Sequence, residues 1–192
     1  MEQNELINTT ALVFQAKSFY NAYIALEQIH LQCDNPTYYY VPTVVNGAFS
    51  IEITLKAILA KNQIDYGKEH NLFILFQLLP ESFQNEMFEH LLEKAPEYKE
   101  AKKIIDELIL ISDAFVEWRY AFEKKKVPAF DLRFLSAFAN AAIWTMFTHY
   151  NADCVPSNTK EKSDEEVEEM IQINREACLS ANAFKIQKKL KK

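Results

Sequence analysis

The sequence predicts an all-α protein: an antiparallel, up-and-down bundle of four main helices, with short extra helices and a C-terminal tail helix. Three observations predict it. Apolar residues recur at alternating steps of three and four in segment after segment, and no segment shows the period-two alternation of a strand. Glycine occurs only twice in 192 residues, at Gly47 and Gly67, and proline six times. All-β folds need more turn residues than that, and phosphate-cradling loops need more glycine. Hydrophobic residues make up 49% of the chain, enough to build a core for one domain with a tail.

The elements follow in order. Asn8, Thr9 and Thr10 offer caps for a first helix running to about Cys33, with Leu12, Ala16, Phe19, Tyr23 and Leu26 on one face. Asp34–Pro42 reads as a break, and Pro42 suits a helix start. Its aromatic run Tyr38–Tyr40 is read as cover for one end of the bundle rather than a platform for a base. The central helix, Thr43 to Asn62, is apolar almost all round, which places it in the middle of the domain. Ser50, Thr54 and Lys61 form its polar strip, while Glu52 and Lys56 fall inside the apolar arc. A charged pair on a buried face must be paired there or have a task.

A turn holding Gly67 follows, then a helix over His70–Leu79 opened by His70 and broken by Pro80. Glu81–Ala95 is a lesser amphipathic helix. Pro96 is expected to start a long helix reaching about Lys125, with Ile104, Leu108, Ile111, Phe115, Trp118 and Phe122 in one stripe. Asp131 caps the last helix of the bundle, Leu132–Tyr150. The domain is expected to span 1–150, with a polar linker at 151–163 and an amphipathic or partly disordered tail at 164–192. Acidic residues open that tail and lysines close it, matching the helix dipole.

Composition excludes some functions. The three cysteines, Cys33, Cys154 and Cys178, are scattered and odd in number, which suits a reducing cytoplasm and makes no metal knuckle. No signal peptide is expected, and the longest uncharged run, Phe134–Tyr150, falls short of the roughly 20 apolar residues of a membrane span. A net charge of −6 argues against a general nucleic-acid coat but leaves room for a local basic site. His30, His90 and His149 stand apart from ligand-spaced carboxylates or cysteines, so neither a metal nor a cofactor is expected.

Glu52, Lys56, Ala57, Leu59 and Ala60, followed after a short gap by His70 and Leu72, give a Glu-x-x-x-Lys-Ala-x-Leu-Ala helix and then a His-headed Leu-rich helix. Trp118-Arg119-Tyr120 and Glu123 add an Arg-Tyr on the long helix. Over about Ala11–Tyr150 this pattern resembles the HEPN domain family. The resemblance implies a bundle of four main helices, often a homodimer, and in active members metal-independent RNA cleavage by an Arg and a His about one to two turns apart. No histidine follows Arg119, Arg133 or Arg175 at that spacing, so the expectation is a domain that binds rather than cuts.

Candidate ligand-binding residues are therefore Glu52, Lys56, His70, Arg119, Tyr120 and Glu123, with no catalytic residue assigned. An arginine beside a fixed carboxylate can present a fork to phosphate; the same set also suits a structural network. Expected partners are a second copy of the chain and a nucleotide or RNA, with a protein partner possible in principle through the C-terminal helix; no membrane is involved. A prokaryotic defence or toxin–antitoxin setting rests on the family alone. A diverged ribonuclease centred on Arg119 and a purely structural interaction protein are the alternatives.

Overall fold

Thr9–Gln32 forms the first helix, α1, in a computed structural model that describes residues 9–34, 37–112 and 131–150. The chain divides into two units, Met1–Val155 and Pro156–Lys192, and all of these residues belong to the first. The elements expected at 113–130 and 151–192 lie outside the described residues. Those described are all-α. The helices after α1 are α2 (Thr37–Lys61), α3 (Leu72–Gln77), α4 (Glu81–Lys94), α5 (Ala101–Ile111) and α6 (Leu132–Tyr150). A 3-10 turn, Pro96–Tyr98, joins α4 to α5.

Helix α2 is the hub. It packs against α1, α3 and α6, and α6 in turn packs against α4 and α1. Ile51, Leu55, Ala57, Ile58 and Leu59 are wholly buried, as the all-round apolarity of this helix requires. In the polar strip, Ser50 and Thr54 are buried too. Their hydroxyls donate to the carbonyls of Gly47 and Ser50, at 2.8 and 2.7 Å, so each is satisfied inside its own helix. The helix also begins earlier than expected. Pro42 lies inside it and forfeits one backbone bond, to the carbonyl of the exposed Tyr38. α2 is long and apolar enough to cross a membrane, but 72% of that stretch is buried against the other helices.

Gly47 marks the closest approach. A Cβ there would lie 3.0 Å from the Tyr23 ring of α1 and 3.1 Å from Leu135 of α6. Both neighbours are fully buried and have nowhere to move. In the lower core, Phe134 stacks on Phe138 with centroids 5.7 Å apart, Phe138 meets Phe76 edge-on at 5.7 Å, and Tyr98 meets Phe134 at 5.2 Å. Phe134 and Phe138 are thus covered within the chain. Elsewhere on α6, Trp144 is 53% exposed, and Phe147 is partly buried, with the Lys17 ammonium 5.7 Å from its ring centre.

Two further boundaries differ from expectation. α3 starts at Leu72, because Asn71 is the cap: its side chain accepts from the Ile74 N–H at 3.0 Å. His70 therefore lies in the loop, not in the helix. Pro96 does not start the long helix directly, since the chain turns once and bends at Lys99–Glu100 before α5 begins.

Asp131 does cap α6. Its Oδ1 accepts from the Arg133 N–H at 2.9 Å, and its Oδ2 accepts from Arg133 Nη2 at 3.0 Å and from the hydroxyl of the buried Tyr98 at 2.8 Å. The Arg133 guanidinium holds this carboxyl down at about 2, against an ordinary value of 3.8. A carboxyl whose pKa is depressed by folding stabilises the fold above its ordinary pKa, and that contribution fades as pH falls towards the folded value. Between about pH 4 and pH 2, wild type should lose more thermal stability than Asp131→Asn does. Equal losses over that interval would remove Asp131 as an acid-sensitive anchor.

Candidate functional site

The loop between α2 and α3 is rigidly built. Leu59 and Ala60 accept backbone bonds from Ile64 and Gln63, at 2.9 and 3.1 Å, with Gln63 at a φ of 58°. This is a Schellman ending with glutamine where glycine or asparagine is usual. Gly67 takes a φ of 53°, as expected of the turn, and its N–H donates to Asp65 Oδ1 at 2.9 Å. Glu69 then folds back: its Oε1 accepts from the N–H of His70 at 2.8 Å and of Asn71 at 2.7 Å. Those two bonds, Asn71's first, lower the Glu69 pKa.

The loop delivers His70 to α2. Its Nδ1 lies 2.8 Å from Glu52 Oε1, and Lys56 Nζ lies 2.8 Å from the same oxygen. Lys56 and His70 are 3.5 Å apart, both directed at that one acceptor. Three of the six expected site residues, Glu52, Lys56 and His70, therefore come together; Arg119, Tyr120 and Glu123 lie outside the described residues. Exposure grades outward across the cluster, with side chains 3% exposed at Glu52, 12% at Lys56 and 57% at His70. The Lys56 ammonium also lies 5.5 Å from the centre of the Tyr66 ring.

Chemically, an ionised carboxylate only accepts, so its bond to His70 fixes the proton on Nδ1. The other imidazole nitrogen, Nε2, sits on a ring more than half exposed and meets no partner among the described residues; it donates to an anion when the ring carries both protons. The second oxygen of Glu52, Oε2, is buried and has no hydrogen-bond partner among the described residues. Beside this edge, Ser112 at the end of α5 accepts at its carbonyl from Leu72 N–H (3.2 Å) and at its Oγ from Phe73 N–H (3.1 Å). The chain thus enters residues 113–130 from a point next to the loop that carries His70.

A second grouping escaped the sequence reading. His149 of α6 lies 2.7 Å from Glu86 Oε2 of α4, and His90 lies 3.7 Å from Glu86 and 3.7 Å from Glu93. His90 and His149 therefore do have carboxylate companions. Glu86, His90 and Glu93 share a helix face at spacings of four and three, a visible signal, but His149 is 63 residues away and joins only through the fold. No set of three metal-holding side chains occurs among the described residues.

No protein family, curated protein or solved structure matches this chain.

Proposed function

We propose that this chain is a HEPN-like helical domain that binds the phosphate of a nucleotide or RNA at the Glu52–Lys56–His70 edge without cutting it. The observation that carries the proposal is the His70 ring, oriented by a buried carboxylate and more than half exposed. A buried carboxylate is costly to keep, and here it holds an imidazole and an ammonium at the surface. In the proposed arrangement α1, α2, the α5 region and α6 are the four main antiparallel helices, with α3 and α4 as the extra ones. The domain pairs with a second copy, and Trp144 of α6 lies at or near that contact. A defence or toxin–antitoxin setting comes from the family likeness alone.

Binding is preferred to cleavage on chemical grounds. Cutting RNA without a metal needs one group to take the 2′-hydroxyl proton and another to protonate or stabilise the leaving oxygen. His70 could serve as one such group, but Lys56 is tied to Glu52. The mutual pairing of Glu52 and Lys56 also favours a packing role for those two residues, which leaves His70 as the ligand contact.

Fluorescence anisotropy with a short single-stranded RNA and with ATP tests the reading. Saturable binding is expected, weakened about tenfold in His70→Ala, the worth of one charge-assisted hydrogen bond of about 1.5 kcal/mol, with the RNA intact on a gel. Binding unchanged by the substitution would reduce the cluster to a packing device. Shortened RNA, abolished in His70→Ala or Arg119→Ala, would establish the ribonuclease instead.

A further inference from the structure

A separate cavity of about 550 Å³ opens between α1, the start of α2, the end of α4 and the start of α6. It lies towards the opposite end of α2 from His70. Thr43 lines it, and at 1.5 Å per residue Thr43 is roughly 20 Å along the helix from Lys56. Ile24, Leu31, Ala95, Leu132 and Ala137 supply apolar wall. The volume falls in the range of small-molecule sites.

The polar groups at its inner side are organised around one carboxylate. The hydroxyl of the fully buried Tyr23 donates to Glu27 Oε1 at 2.6 Å, and Ser136 hydrogen-bonds that same hydroxyl. Burial, with the bond to Glu27 next, holds the Tyr23 phenol above its usual range, so it keeps its proton and remains the donor to Glu27. Glu27 is half-buried, and no lysine or arginine among the described residues pairs with it. Arg133, also at the cavity, is committed to Asp131. Beside Glu27, Asn140 donates from Nδ2 to the Tyr20 hydroxyl at 2.8 Å, so this wall is already fixed without a ligand. Lys94, His30 and Glu97 also line the cavity, but a partly desolvated carboxylate preoriented beside its apolar wall selects a cation that brings its own apolar body.

We propose that this cavity binds a small organic amine, its ammonium on Glu27 and its hydrocarbon on the walls. The test uses the full chain and two probes of one shape, 2-phenylethylamine and the neutral 2-phenylethanol, followed by amide NMR. The amine at millimolar concentration should shift the amides of Tyr20, Ile24 and Ser136, and bind at least about tenfold more tightly than the alcohol, the worth of one charged hydrogen bond. Glu27→Gln, shown to be folded by circular dichroism, should abolish that preference. Equal binding of the two probes, shifts confined to other residues, no binding of either, or a folded Glu27→Gln that keeps the preference would each overturn the proposal. The comparison of probes on wild type stands even where the variant fails to fold.

Discussion

Lys56→Ala is expected to destabilise the fold by about 3 kcal/mol, the lower end of the cost of stripping one partner from a buried ion pair. Glu52 is 2% exposed and sits among the apolar residues of α2, so its charge cannot retreat to water. His70 still holds the same oxygen, and that keeps the loss from reaching the upper end. Replacing both partners, as Glu52→Leu with Lys56→Met, removes the charge together with its counter-charge and should cost far less. At this chain length, about 3 kcal/mol corresponds to a fall in Tm of roughly 10 °C. Thermal melts of Glu52→Leu, Lys56→Met and the double variant give the coupling directly. A Lys56→Ala loss under about 1 kcal/mol, the range of an exposed pair, would mean that solvent carries the charge of Glu52.

Phe138→Ala is the second large effect, at about 3–5 kcal/mol. The ring is fully buried between Phe134 and Phe76, and its removal opens a cavity where α6 meets the loop-side helices. Trp144→Ala, six residues further along the same helix, removes a larger ring that is 53% exposed, and should cost the monomer no more than about 1 kcal/mol. Urea denaturation separates the two. Similar losses would contradict the coverage of α6, and a Trp144→Ala loss that grows with protein concentration would trace to the proposed dimer.

Much of the fold was legible because helical periodicity is a local property. The limits of α4 follow from Pro80 and Pro96 beside it, and at the start of α6 Asp131 did what a capping aspartate is expected to do. The errors came where a side chain found a partner that pattern alone does not show. His70 looks like a helix opener, yet Asn71 one residue later is the better cap. Pro96 reads as a helix start, but the chain makes a single tight turn there.

For the site, the grouping of Glu52, Lys56 and His70 was legible from cost: two charges on an apolar arc need company, and the nearest polar group after the turn was a histidine. The roles of the three were not legible, because the gradient from buried Glu52 to exposed His70 depends on how the loop folds back. Glu27 and its cavity were invisible for a related reason. A glutamate on an amphipathic helix resembles any surface charge until the buried Tyr23 hydroxyl and the walls of α4 and α6 are placed around it.

The four histidines of the chain make a direct test of the central claim possible, since their ring C–H signals can be followed one by one by NMR. Addition of ATP or a short single-stranded RNA to the full chain should shift the His70 signals and leave those of His30, His90 and His149 in place. An unmoved His70 in the presence of either ligand, or shifts centred on His90 and His149 instead, would contradict the assignment of the Glu52–Lys56–His70 edge as the binding site.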